Sequence, residues 1–213
     1  MKIGILGSGT VAQTLGAGFL KHGHEVMLGS SSPSKLADWS AQNTQGRVGS
    51  FADAAGFGDI AVLSVKGTAA LAALRAVGAQ RLAGKVVIDT TNPIADAPPV
   101  DGVLQFFTGP NESLHEQLQR EFPQVRFVKA FNSVGSAFMV DPKFAGGPPT
   151  MFICGNDAAA KQAVAGIVKE SGWDVADMGT AVAARAIEPL CVLWCIPGLL
   201  RNEWTHAFKL LRG

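Results

Sequence analysis

Apolar residues in this chain come in short unbroken runs separated by stretches of helical period. Ile3, Ile5 and Leu6 predict a short buried strand, Val11, Leu15, Phe19 and Leu20 fall on one face of a helix, and His24 to Leu28 reads as a second strand. The alternation continues through a helix over Pro33–Ala41, a short strand over Arg47–Ser50, a helical turn near Ala52–Phe57, a strongly apolar strand over Ile60–Val65, a helix over Ala69–Val77 and a buried strand over Val86–Thr90. Strands that are apolar throughout, rather than at every second residue, are buried on both faces. The pattern therefore predicts an α/β, doubly wound, mostly parallel sheet covered by helices on both sides.

Ile94 to Pro110 is rich in Pro, Gly and Asp and reads as a loop within the domain rather than a linker between two. A helix over Ser113–Glu121, a strand over Arg126–Phe131, a second loop over Val140–Pro149, a strand over Thr150–Cys154, a helix over Ala158–Ser171 and a last strand over Trp173–Ala176 follow. From Ala181 onward the tail reads as helices broken near Pro197. The expected organisation is one domain over residues 1–213, with a core of about residues 1–178 and a C-terminal helical extension over about 179–213.

The first strand runs straight into Gly7-Ser8-Gly9-Thr10-Val11-Ala12 and then into a helix. Three small residues at this spacing, between a strand and a helix, make a dinucleotide-binding turn of Rossmann type. Gly7 allows the tight reversal, Gly9 lets a diphosphate approach backbone N–H groups, and Ala12 lets the helix sit close to the strand. In NAD-preferring folds an acidic residue at the end of the second strand holds the ribose hydroxyls. Here that place carries Gly29-Ser30-Ser31-Ser32 and then Lys35, so no carboxylate repels an added 2′-phosphate, and three hydroxyls and an ammonium favour NADP. Ser31 or Ser32 before Pro33 is equally suited to cap a helix, and both roles are compatible.

Composition narrows the partners. A formal net charge of +1 with only 16% charged residues gives no field to recruit nucleic acid or an anionic membrane, which leaves small molecules or further copies of the chain. Three cysteines without a CxxC pair suit a reducing compartment and point to the cytoplasm. The late uncharged run between Glu188 and Arg201 is twelve residues interrupted by two prolines, against the ~20 that a spanning helix needs, so no membrane segment is expected.

The four histidines share no metal-ligand spacing: His22 and His24 flank a glycine, His115 lies on a polar helix and His206 is in the tail. There is no tyrosine, which removes the Tyr-Lys arrangement that protonates an alkoxide in many carbonyl reductases. Cys191 and Cys195 share a helix face among apolar residues and read as small buried side chains. Asn132, after Ala130-Phe131 at a strand end, either donates its amide to a nicotinamide carboxamide or serves turn chemistry. Asp89 reads as a turn or cap residue, and no side chain is assigned a catalytic role. Hydride transfer needs no obligatory acid or base, only two rings held face to face.

The stretches Gly4–Gly9, His22–Ser30, Val128–Asn132, Met151–Asp157 and Ala184–Leu190 together resemble the NADPH:deazaflavin oxidoreductases, that is, the coenzyme F420-dependent NADP reductases and their bacterial relatives. The cytosolic domain of six-helix membrane metalloreductases is similar too. The resemblance implies that Ser8, Gly9, Thr10 and Val11 meet the pyrophosphate and that Ser30, Ser31 and Lys35 meet the 2′-phosphate. It places Ser64, Val65 and Lys66 beside the adenosine side, and Asn92, Ala130 and Asn132 near the nicotinamide. The family typically carries Arg where this chain has Ser31, a departure that implies looser discrimination against NAD. The implied activity is hydride transfer between NADP(H) and a deazaflavin or flavin acceptor. The alternatives are a non-catalytic NADP(H) sensor and a flavin-coupled metal-chelate reductase. The apolar tail, with Leu190, Trp194, Leu200, Trp204 and Phe208, is expected to pack on the core, on an acceptor pocket or, as preferred, on a second subunit of a homodimer.

Overall fold

The computed structural model describes residues 1–213. Six parallel strands form the main sheet: β1 (Lys2–Leu6), β2 (Glu25–Gly29), β3 (Arg47–Gly49), β4 (Ile60–Leu63), β5 (Val86–Asp89) and β6 (Arg126–Lys129), in the spatial order β3-β2-β1-β4-β5-β6. Register is continuous across the sheet, with Ile5 opposite Leu28 on one side and Val62 on the other, and Ile88 opposite Val62 and Val128. Chain order reverses between β1 and β4, and ligands of open α/β sheets bind in the crevice beyond the strand ends at such a point. A second, two-stranded parallel sheet of β7 (Thr150–Ile153) and β8 (Asp174–Asp177) joins the first through an antiparallel bridge between Lys129 and Cys154.

Helices cover both faces. On one side α1 (Thr10–Lys21) and α7 (Ala158–Glu170) close a core containing Ile3, Ile5, Phe19, Val62, Ile88, Val128 and Phe131. On the other, α3 (Phe51–Phe57), α4 (Ala70–Val77), α5 (Ala79–Leu82) and α6 (Leu114–Glu121) close a core around Leu6, Leu63, Val87, Leu74, Leu118 and Phe127. The interior strand residues are almost all fully buried, and burying each Val, Leu, Ile or Phe contributes roughly 1.5–3 kcal/mol. Capping boxes start two of these helices, Ser50 with Asp53 on α3 and Ser113 with Glu116 on α6.

The expected helix after the second strand begins as a 3-10 turn at Pro33–Leu36 and becomes α2 only over Ala37–Gln42. The expected loop after β5 is an ordered hairpin, bridged at Ile94–Phe106 and Val100–Val103. The tail differs most from expectation. A 3-10 turn (Ala181–Ala183), α8 (Ala184–Ile187) and α9 (Pro189–Arg201) run nearly end to end, and α9 passes straight through Pro197. This run of 21 residues is long and apolar enough, by length and composition, to cross a membrane, which the twelve-residue count did not anticipate; its Glu188 is nonetheless buried and ion-paired. Helix ends at Asn202, in a left-handed conformation with φ 57°. Residues 203–213 are not helical: Trp204 covers Gly198, His206 stacks on Trp194 at 4.9 Å, and Thr150 N donates to Phe208 O. The apolar tail residues therefore divide between the α9 face and an extended return along β7. Leu193, Leu199 and Leu200 remain exposed.

Candidate active site

A crevice of about 1570 Å³ opens over the carboxyl ends of β1, β4 and β5. The glycine turn forms its floor. Gly7 N donates to Gly29 O and Ser64 N to Leu6 O, which pins the turn between β2 and β4. The first turn of α1 begins at Gly9 with no side-chain cap and no acidic residue, so its N–H donors face the crevice with nothing of the chain's own to accept from them. A diphosphate fits such a site, being anionic and rich in acceptors.

Of the residues expected to hold cofactor, Gly7, Ser8, Gly9, Thr10, Val11, Ser30, Ser31, Lys35, Ser64, Val65, Lys66 and Asn92 all line this one crevice. Ser30 is buried, donates to Ser8 Oγ at 3.2 Å and accepts from Ser32 N at 3.1 Å, so it braces the end of β2 against the glycine turn. Ser31 and Lys35 are exposed at the rim. Ser64 Oγ is buried without a partner beside Gly7, a hydroxyl left over for a ligand. Lys66 pairs with Asp96 across the mouth at 3.6 Å.

Three expected residues do not line the crevice. Ser32 points its backbone N–H at Ser30, Ala130 is fully buried with its N–H on Asp89 O, and Asn132 is buried behind Asn92. Conversely, the pattern gave no hint of the hairpin wall, where Ile94, Ala97 and Pro98 face the crevice beyond the end of β5, or of the strip of Ala72, Ala73 and Ala76 on α4.

A family model described as NADP oxidoreductase, coenzyme F420-dependent, matches residues 2–93. A crystal structure from Arthrobacter sp. FB24, described as a candidate F420-dependent NADP-reductase, superposes with a TM-score of 0.93 at 35% identity, covering 100% of both chains. The chain belongs to the coenzyme F420-dependent NADP oxidoreductase family. Membership places it among NADP-dependent oxidoreductases. Metalloreductase STEAP3 of Rattus norvegicus is 31% identical over 206 residues, covering 93% of this chain and 39% of that protein. The chain thus spans about two fifths of the length of that curated relative. A reductive aminase from Aspergillus terreus in complex with NADPH has a TM-score of 0.68 at 17% identity, covering 94% of this chain and 62% of the other, and shares the fold.

Beneath the oxidoreductase's crevice lies a charge network that the sequence reading missed. Lys129 Nζ, at the end of β6, reaches Asp89 Oδ2 at 2.7 Å, Glu188 Oε1 at 2.8 Å and Thr91 O at 2.7 Å. Asp89 Oδ1 accepts from Thr91 N and Oγ1, and its Oδ2 meets His115 Nδ1 at 2.9 Å. Glu188 accepts from Leu114 N and His115 N, capping α6 from a distant part of the chain. Lys129, Asp89 and His115 have no exposed surface; Asp89 makes the expected turn through Thr91 N and His115 lies on the expected polar helix, and both also face inward to this network. The network holds the Thr91 peptide, whose neighbours Thr90 and Asn92 line the crevice.

Proposed function

We propose that the protein transfers a hydride between NADP(H) and a planar acceptor of deazaflavin or flavin type. The observation that carries this reading is the crevice itself. At about 1570 Å³ it exceeds the ~300–1,000 Å³ usual for one small ligand, and it joins the dinucleotide turn to an apolar wall of Ile94, Ala97 and Pro98. An open apolar cleft of that size supports turnover over a purely sensing role. No histidine, cysteine or tyrosine lines it, which suits an acceptor that takes a hydride without a proton from a side chain.

In this reading the uncapped N–H groups of Ser8–Val11 hold the diphosphate. Ser30, Ser31 and Lys35 receive the 2′-phosphate, with Ser32 bracing their turn. Ser64, Val65 and Lys66 line the middle of the cofactor, and Asn92 faces the nicotinamide with Ala130 and Asn132 behind it. When bound, the nicotinamide supplies the hydride. The chain holds the ring over the strand ends, and the hairpin wall keeps water from the acceptor face. Lys35→Ala combined with Ser31→Asp is expected to weaken NADPH binding at least tenfold while leaving NADH within about threefold, as loss of one charge-assisted phosphate contact and gain of a repulsive one require. Equal losses for the two coenzymes in calorimetry would contradict the phosphate assignment.

A second reading, reduction of ferric chelates through a flavin, is favoured by the similarity to a metalloreductase. The deciding measurement incubates the protein with NADPH or NADH and, in turn, the deazaflavin coenzyme, FMN, FAD and ferric chelates, following nicotinamide absorbance. Fastest oxidation with the deazaflavin supports the proposal; oxidation only when flavin and chelate are combined supports the second reading. Tight NADPH binding without oxidation by any acceptor leaves the sensor. The three free cysteines favour a cytoplasmic setting, and the exposed Leu193, Leu199 and Leu200 of α9 favour a homodimer, which a scattering mass of one chain at high micromolar concentration would remove.

A further inference from the structure

Asn132 follows Phe131, a fully buried residue held at φ 60° just past the end of β6. A bulky side chain in the left-handed region persists only where its surroundings enforce it, and such outliers cluster at working sites. The turn it makes lets two asparagines exchange hydrogen bonds. Asn92 Nδ2 donates to Asn132 O at 2.8 Å, and Asn132 Nδ2 donates to Asn92 Oδ1 at 3.0 Å. The second hydrogen of Asn132 Nδ2 goes to Ile187 O at 3.0 Å, at the end of α8.

These bonds leave no freedom in either amide. Turning Asn92 over would set its NH₂ against that of Asn132 and its oxygen against the Asn132 carbonyl; turning Asn132 over would set oxygen against both Asn92 Oδ1 and Ile187 O. Asn132 Oδ1 is left buried with no partner, an unfavourable arrangement that follows from spending both amide hydrogens on Asn92 and Ile187. Asn92, by contrast, is half-buried, lines the crevice and keeps one amide hydrogen and one oxygen lone pair unused. Either group suits a primary carboxamide, which offers an oxygen to the free N–H and an N–H to the free lone pair.

We infer that Asn132 is a positioning residue, locking Asn92 so that an unused polar group of its amide, the free N–H or the free oxygen lone pair, meets the carboxamide of the nicotinamide ring. This rests on the functional reading above and moves Asn132 from a contact of the cofactor to a support behind one. The bond to Ile187 makes the C-terminal segment part of that support.

The test is calorimetry with two ligands, NADPH and 2′-phospho-ADP-ribose, which lacks only the nicotinamide. Asn132→Ala and Asn92→Ala are each expected to weaken NADPH about 5- to 20-fold, the range for losing one or two neutral hydrogen bonds. Both should leave 2′-phospho-ADP-ribose within about twofold, since its phosphate contacts lie elsewhere in the crevice. The double variant should bind NADPH no more weakly than Asn92→Ala alone, because Asn132 acts only through Asn92. A general structural role would weaken both ligands alike, so equal losses overturn the inference, as do additive losses. Should Asn132→Ala fail to fold, Asn92→Ala still decides, and an unselective loss there overturns it too. Wild-type protein that binds neither ligand brings down the functional reading; wild-type protein that binds both while Asn92→Ala shows no selective loss brings down this inference alone.

Discussion

Replacing Lys129 with methionine is expected to cost about 3–5 kcal/mol of folding stability, the penalty for removing one partner of a buried ion pair. Methionine fills much the same volume, so the loss reports charge rather than a cavity. Without the ammonium, Asp89 and Glu188 face each other's charge in a region of no solvent access, and Thr91 O loses its donor. Typical domains are stable by only ~5–15 kcal/mol, so the variant should lose a large fraction of its total stability in urea titration at pH 7. A change under about 1 kcal/mol would mean that the pairs only offset their own desolvation.

The same network gives stability a defined pH dependence. Burial is the largest influence on Asp89 and pushes its carboxyl up, but the Lys129 ammonium and the His115 contact together outweigh it and hold the group well below the usual carboxylate range. Burial is also the largest influence on Lys129 and pushes it down, yet Asp89 and Glu188 outweigh it and raise the ammonium above its ordinary value. The Asp89 contribution is therefore complete above the unfolded value of about 3.9 and is lost as pH falls through the depressed folded value. The Lys129 contribution is complete below about 10.4 and is lost as pH rises through the raised folded value. Between these limits the network should add a flat term, and Lys129→Met should abolish the alkaline limb of the wild-type curve.

This network also marks the boundary of what the amino-acid pattern could reveal. The glycine turn and the eight strands were legible because each depends on neighbours in sequence: apolar runs specify buried parallel strands, and Gly7, Gly9 and Ala12 act at fixed spacing within one turn. Lys129, Asp89, His115 and Glu188 come from four separate elements and meet only once β5, β6, α6 and the start of α9 are assembled. His115 sits on a helix whose residues are mostly polar, and its burial beside Leu114 and Leu118 is a property of one narrow edge; the Ser113–Glu116 capping box was the local signal that this edge turns inward. Pro197 misled for a different reason. Its missing N–H would have bonded the carbonyl of Leu193, on a face open to water, so solvent replaces the lost partner and α9 continues. Most of the residues that the resemblance named line one crevice, because the glycine turn and the ends of β2, β4 and β5 open on the same side of the sheet. That Asn132 sits behind Asn92 rather than on the crevice was not legible, because a position at a strand end says nothing about where both amide hydrogens go.

Gly7→Ala and Gly9→Ala should separate two roles within a single turn. A Cβ on Gly7 would lie 2.0 Å from Ser64 O and 3.2 Å from the Cβ of Ala12, with the Gly7–Gly29 and Ser64–Leu6 bonds preventing either strand from moving aside. Overpacking of that kind costs ~1–3 kcal/mol, so Gly7→Ala should lower the melting temperature and, by displacing the start of α1, weaken NADPH about 100-fold. A Cβ on Gly9 meets no atom of the protein within 4 Å. Gly9→Ala should therefore melt with the wild type, yet it too should weaken NADPH about 100-fold, or ~2.7 kcal/mol, because the open space above Gly9 is where the diphosphate must touch backbone. Thermal melts and calorimetry on the pair read the two effects independently. If Gly9→Ala bound NADPH as tightly as the wild type, a methyl group would be tolerated where the diphosphate is assigned, and the uncapped end of α1 could not be its seat.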